Sequence, residues 1–188
     1  MAQFPPCEFW DFSLAVYGRK GVASACLSLQ ERHRVDVNLL LFCCWLGASG
    51  RGAVAGDGLA RVAAAVDGWH GGVVRGLRAV RVLLKGESGG RAGELPAALR
   101  KKVAALELEA EHIEQLRLAG LAPPALAAKL VAPPAERARD AARGAAGYLA
   151  SLGATLDSAD RDALQAVLAG VFPELARESL AAAIAANI

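Results

Sequence analysis

One apolar segment constrains the fold of this chain more than any other feature. Residues 39 to 46 read Leu-Leu-Leu-Phe-Cys-Cys-Trp-Leu, and Asp36 stands just before them as a helix N-cap. The segment is too short to cross a bilayer, which takes about 20 apolar residues. A helix that is apolar on every side must be surrounded by other helices. The sequence therefore predicts a compact all-α bundle around a central buried helix at about residues 37 to 46.

Composition supports helices and limits the class of protein. The 188 residues are 54% hydrophobic but only 5% aromatic, and much of the difference is alanine, a strong helix former with little bulk. Helical periodicity recurs between Gly and Pro breaks, without sustained strand alternation. The formal net charge of +2 argues against a general affinity for nucleic acid, which needs a basic patch.

The cysteines and the first residues predict a reducing compartment. None of the four cysteines belongs to a C-x-x-C pair, so we expect buried free thiols rather than a zinc ribbon or a redox motif: Cys7, Cys26, Cys43 and Cys44. The N-terminus lacks a basic stretch followed by an apolar one, which argues against a signal peptide. We expect a cytoplasmic protein without a membrane span.

Composition changes after Gly120. Pro123-Pro124 and Pro133-Pro134 bracket a short Ala-rich piece, and Ala-rich segments with weak apolar stripes follow. We expect a helical core domain at residues 1–120 and a loosely packed, Ala-rich helical extension at residues 121–188. The extension either packs on the core or is partly mobile.

Glycines are expected to divide the core domain. Gly68 should interrupt the helix that begins near Asp57, and the sequence Trp69-His70-Gly71-Gly72 predicts a hinge or a tight corner. The Gly-rich stretch from residue 86 to residue 93 predicts an exposed loop. A last long helix of the core should begin at Pro96.

Two acid-x-x-His spacings are the strongest chemical motif. Asp67 with His70, and Glu109 with His112, could each present a carboxylate and an imidazole to one metal, as in helical bundles with iron or manganese; Asp11, Asp36 or Glu107 could add a carboxylate. Two observations oppose this hypothesis. Glycines are expected to interrupt the helix around Asp67 and His70, the first pair. The second pair lies in a run of glutamates that is typical of a solvated face.

Polar residues beside apolar ones predict a second kind of site, a small-ligand pocket between helices. Asn38 is the central member, because a buried amide needs hydrogen-bond partners, and we expect Asp11, Gln30 or His70 to supply them. The alternative is a set of hydrogen bonds that only fixes helix packing. The candidate pocket residues are Trp10, Asp11, Gln30, Asn38, Trp69 and His70.

A basic stripe is the third candidate. Arg75, Arg78, Arg81 and Lys85 are expected on one helix face, either as a solvated surface or as an interaction face for an acidic partner. No aromatic residue alternates with them, which disfavours single-stranded nucleic acid.

Three segments in order carry a family resemblance: residues 9–17 (FWDFSLAVY), 21–30 (GVASACLSLQ) and 36–42 (DVNLLLF). They resemble the proteobacterial proteins grouped as domain of unknown function 2390. The Trp69-His70 pair and the helix with Glu107 to Glu114 are similar too, so the resemblance spans about residues 9 to 119. It implies a small cytoplasmic helical protein and carries no activity, cofactor or catalytic residue.

No complete catalytic signature occurs, so three functions remain open. The favoured one is a non-enzymatic interaction or regulatory module that binds a protein partner and needs no cofactor. A metal-dependent enzyme that uses Asp67, His70, Glu109 and His112 is the first alternative, and a small-ligand-binding protein is the second. The sequence does not decide whether the chain forms a homo-oligomer.

Overall fold

The computed structural model describes residues 4–87, 93–126 and 131–187. They form helices and connecting turns without a strand, which confirms the predicted all-α class. The predicted Gly-rich loop lies largely outside them, at residues 88–92. The helices are α1 (Glu8–Tyr17), α2 (Val22–His33), α3 (Val37–Ala48), α4 (Gly56–Trp69), α5 (Arg75–Leu83), α6 (Leu95–Gly120), α7 (Pro134–Ser151), α8 (Ser158–Val171) and α9 (Arg177–Ala185).

The central helix is α3, as predicted. Its residues from Asn38 to Gly47 are all buried, and α1, α2, α6, α7 and α8 pack around it. The Asp36 side chain caps the helix by accepting hydrogen bonds from the backbone N–H groups of Asn38 and Leu39. These two bonds satisfy donors that would otherwise be buried without partners.

Helix α7 lies directly along α3, and small residues make this close contact possible. Gly47 faces Ala141, and Gly144 faces Cys43. Buried side chains of α7, α8 and α9, such as Leu149, belong to the same hydrophobic core as α3. The expected loose packing of the Ala-rich extension is therefore wrong. Alanine and glycine supply little bulk, but they let two backbones approach closely.

The segment from α4 to α5 is continuous rather than broken. The predicted interruption at Gly68 and the predicted corner at Trp69–Gly72 are wrong, because a π-helical turn (His70–Val74) joins the two helices. A π turn accommodates an extra residue without ending the helix, and such turns are frequent at functional sites. Here His70 is the first residue of the turn.

Among the described residues, no helix combines the length and the apolar composition that crossing a membrane requires.

The contact between α3 and α7 predicts a strong effect of one added methyl group. A Cβ on Gly47 would lie 2.7 Å from the Ala141 Cα, so Gly47→Ala should lower the free energy of unfolding by about 1–3 kcal/mol. Urea unfolding followed by circular dichroism measures this. Gly76→Ala on α5, where a Cβ meets nothing within 4 Å, is the matched control and should stabilise by about 0.5–1 kcal/mol. An unchanged midpoint for Gly47→Ala would contradict the close approach.

Candidate functional site

A cavity of about 500 Å³ opens between α1, α2, α3, the π turn, α5 and α6. Four of the predicted pocket residues line it: Trp10, Gln30, Asn38 and His70. The other two do not border it. Asp11 is exposed on α1, and Trp69 packs against α6 instead, where its Nε1 donates a hydrogen bond to the Ala110 carbonyl at 2.9 Å.

Asp36, His70 and Glu114 form a compact cluster beside this cavity. The His70 Nδ1 lies 3.3 Å from Asp36 Oδ2 and 3.2 Å from Glu114 Oε1. One potential ligand atom from each side chain lies within 4.8 Å of the other two. Asp36 is 7% exposed and Glu114 is 0% exposed. We call these three residues the floor cluster.

Each member of the floor cluster comes from a different segment. Asp36 holds its position as the cap of α3, and its backbone N–H donates to the Tyr148 hydroxyl on α7 at 2.8 Å. His70 is the first residue of the π turn, which the Trp69 hydrogen bond fixes against α6. Glu114 comes from the C-terminal third of α6. Tertiary packing therefore assembles the cluster.

The surroundings of the floor cluster shift the pKa values of its three members in different directions. Burial raises the pKa of Asp36 well above its ordinary value, and the nearby Glu114 carboxylate raises it further. Burial also acts to raise the pKa of Glu114, but hydrogen bonds with His70, Asp36 and Asn38 outweigh it, so this pKa is lowered. Burial acts to lower the pKa of His70, yet the Glu114 hydrogen bond and the Asp36 charge raise it overall. The pKa values of the two carboxyl groups are therefore shifted in opposite directions.

Two buried amides extend the cluster. The Asn38 Nδ2 donates to Glu114 Oε2 at 3.0 Å, and the Gln115 Nε2 donates to Asn38 Oδ1 at 2.8 Å. The sequence correctly predicted that Asn38 needs partners, but these are Glu114 and Gln115 on α6. The expected partners were Asp11, Gln30 or His70.

The predicted metal residues separate into different environments. His70 lies in the floor cluster, whereas Asp67 is exposed on α4 and Glu109 is half-buried on α6. The His112 ring is stacked between Phe4 and Trp10, with ring centroids 4.2 and 4.0 Å away. Neither acid-x-x-His pair forms the cluster, because the π turn and the packing of α6 bring His70 to Asp36 and Glu114 instead.

Two of the four residues of the basic stripe form ion pairs with glutamates of α6. Arg78 donates to Glu107 at 2.8 Å and to Glu111 at 2.7 Å, and Arg81 pairs with Glu107 as well. Arg75 and Lys85 are exposed. The expected solvated glutamate face is therefore wrong for Glu107, which is 5% exposed. Burial acts to raise the pKa of Glu107, but hydrogen bonds from Arg81 and Arg78 outweigh it and lower that pKa.

Glu114 is the member of the floor cluster that sequence reasoning missed. A signal was present: positions 107 and 114 fall on the same stripe of α6 as Val103, Ala110 and Leu118, which are buried. Polar residues on a buried stripe indicate partners inside the protein. Asp36 was considered only as an additional carboxylate.

Comparison with known proteins identifies the family of this chain. Residues 8–118 match the family described as "Protein of unknown function (DUF2390)", and the chain belongs to this family. The match confirms the resemblance found in the sequence and includes all three members of the floor cluster. No curated protein and no solved structure in the comparisons matches the chain.

The ion pairs between α5 and α6 generate a prediction. Glu107→Ala leaves Arg78 and Arg81 without their shared carboxylate, so it should lower the free energy of unfolding by about 1–3 kcal/mol. Glu109→Ala removes a glutamate from the same helix and should change it by no more than about 0.5 kcal/mol. Thermal unfolding of both variants tests this. Equal effects would mean that the arginine contacts contribute nothing specific.

Proposed function

We propose that this protein binds a divalent metal ion through Asp36, His70 and Glu114 and presents it to a small molecule in the adjoining cavity. One observation carries the proposal. A partly buried imidazole nitrogen and two buried carboxylates from three separate segments converge within 4.8 Å, beside a cavity of about 500 Å³.

The distances suit coordination. Ligands bound to one ion at about 2.1 Å lie roughly 3.0–3.4 Å from each other, and the His70 Nδ1 is 3.3 and 3.2 Å from its two carboxylate neighbours. These distances also fit hydrogen bonds, so a second observation matters. The hydrogen bonds of Asn38 and His70 go to Glu114 Oε2, whereas the buried Oε1 contacts His70 Nδ1 as an ion pair at 3.2 Å. An ion between these atoms would replace that contact, so Oε1 can coordinate.

Charge and donor type narrow the choice of ion. Metal binding displaces protons from the ligands. Asp36 and Glu114 as carboxylates and His70 as a neutral imidazole then carry two negative charges, which a divalent cation neutralises. Imidazole suits zinc and iron, whereas carboxylates suit manganese and magnesium. The mixed set of ligands favours Mn²⁺, Fe²⁺ or Zn²⁺. Iron and manganese were also the metals of the hypothesis drawn from the sequence, but the ligands proposed here are different.

Asp36 and His70 both line the cavity, so a small molecule there can reach the ion. Three protein ligands leave coordination positions open, as is typical of catalytic rather than structural metal sites. A bound ion would supply Lewis-acid chemistry at those positions. The protein's own contribution is to fix the three ligands and to surround the open side with largely apolar walls.

Calorimetric titration of the chelator-treated protein with MnCl₂ and ZnCl₂ tests the proposal. The wild-type chain should bind one ion, and Glu114→Gln or His70→Gln should weaken binding by at least roughly tenfold to a hundredfold, as losses around metal sites typically do. Asp67→Asn and Glu109→Gln are the matched controls and should bind as the wild type does. Circular dichroism verifies folding.

Two results would end this proposal. The first is a folded wild-type protein that takes up none of these ions. The second is equal affinity in the wild type and in both ligand variants, which would mean that the ion binds elsewhere. In either case the floor cluster would be a hydrogen-bonded group that only fixes helix packing.

We also propose, as the second candidate, the protein-binding function expected from the sequence. One apolar surface favours it: Leu83 at the end of α5 and Leu95 at the start of α6 are 74% and 72% exposed and border one shallow pocket with Leu99. Contiguous exposed apolar surface marks interaction sites. We place the partner surface there because Arg78 and Arg81 are engaged within the chain.

A cytoplasmic location fits the four free, buried cysteines.

A second copy of the chain is the partner that can be tested directly. Sedimentation of the wild type should reveal a concentration-dependent dimer, and the double variant Leu83→Glu, Leu95→Glu should remain monomeric because it places charges in the interface. The exposed Leu14→Glu on α1 is the control. A wild-type monomer at all concentrations would exclude self-association through this surface.

A further inference from the structure

Glu114 determines how the two amide side chains beside the floor cluster, those of Asn38 and Gln115, are oriented. A carboxylate only accepts hydrogen bonds, so Asn38 must present its NH₂ group to Glu114 Oε2, 3.0 Å away. The Asn38 carbonyl oxygen then faces Gln115, which must present its own NH₂ group at 2.8 Å. Rotating either amide by half a turn would bring two acceptors together.

One polar atom at the end of this series of hydrogen bonds has no partner. Gln115 is 3% exposed, and its Oε1 accepts no hydrogen bond among the described residues. Buried acceptors without partners are uncommon in folded proteins. Gln115 also lines the cavity, so the missing donor can come from a molecule bound there.

A second unpaired polar atom borders the same cavity from α1. Ser13 is 4% exposed, lines the cavity, and its Oγ has no hydrogen-bond partner among the described residues. The walls near these two polar positions are apolar, with Trp10, Leu14 and Leu41 among them. The cavity therefore combines a polar floor with apolar surface from α1 and α3 and a charged side formed by α5 and α6.

We propose that the cavity binds a small amide-like or hydroxamate-like molecule whose N–H donates a hydrogen bond to Gln115 Oε1. Its adjacent oxygen binds the cation of the floor cluster, and its apolar part packs against Trp10 and Leu41. This inference rests on the proposed metal site, because the oxygen needs a cation to bind. Gln115 is then the residue that selects molecules with a donor next to the metal-binding oxygen.

Two probes of equal chain length separate donor recognition from metal binding. Hexanohydroxamate carries an N–H next to its metal-binding oxygens, whereas hexanoate carries none. Both are titrated calorimetrically into the Mn²⁺-loaded wild type, Gln115→Met and Gln165→Met. Gln165 is a buried glutamine on α8 whose Nε2 donates to the Arg177 carbonyl, so it controls for the loss of a buried amide elsewhere.

Gln115→Met should weaken hexanohydroxamate binding about tenfold, as the loss of one hydrogen bond implies. At saturating Mn²⁺ its affinity for hexanoate should remain that of the wild type. Its affinity for Mn²⁺ is measured separately, because Gln115→Met also removes the hydrogen-bond donor to Asn38 Oδ1 beside Glu114, and saturation with Mn²⁺ keeps that effect out of the probe titrations. Gln165→Met should bind both probes unchanged.

The outcomes distinguish this inference from the proposed function. Equal weakening of both probes, no weakening of either, or a Mn²⁺-loaded wild type that binds no hexanohydroxamate would overturn the inference and leave the metal site standing. Failure of the wild type to bind Mn²⁺ would overturn the metal site itself. Hexanohydroxamate binding to the metal-free wild type, lost in Gln115→Met, would show donor recognition by Gln115 without the cation.

Discussion

The enclosure of α3 is the constraint on which the rest of the structure depends. A helix that is apolar on all sides has no solvent face, so its polar N-terminus is buried with it. Asp36 meets that demand: its side chain caps the first N–H groups of α3, and its backbone N–H bonds to Tyr148. The same carboxyl group lies beside His70 and Glu114. One residue thus joins the central helix to α6, α7 and the π turn.

The buried charges of the floor cluster are more informative about function than about stability. Removing ionisable groups from water costs free energy that their mutual attraction only partly returns, and apolar residues of similar size often stabilise a core equally well. Asp36 and His70 nevertheless line a cavity, and Glu114 lies directly behind them. Polar groups with perturbed pKa values beside a cavity are typical of binding and catalytic sites.

The pairing of the basic stripe with α6 shows how tertiary contacts change the meaning of a surface pattern. Arg78 and Arg81 resemble a docking face when only their own helix is considered. In the fold they meet Glu107 and Glu111 and close one side of the cavity. Glu107 and Glu111 are four residues apart, so both face the same neighbouring helix. A run of glutamates that by itself predicts a solvated face therefore forms ion pairs with α5.

The sequence by itself determined the all-α class, the buried helix from residue 37, its Asp36 cap and the family. These follow from local composition and periodicity, which act within a few turns of one helix. Only the tertiary structure decided that the Ala-rich segment belongs to the core, because close backbone contact depends on which glycine meets which alanine. It also decided which acids accompany His70. His70 lies at the start of a π turn that the glycine pattern did not predict, and residues 36, 70 and 114 become neighbours only when three distant segments pack together.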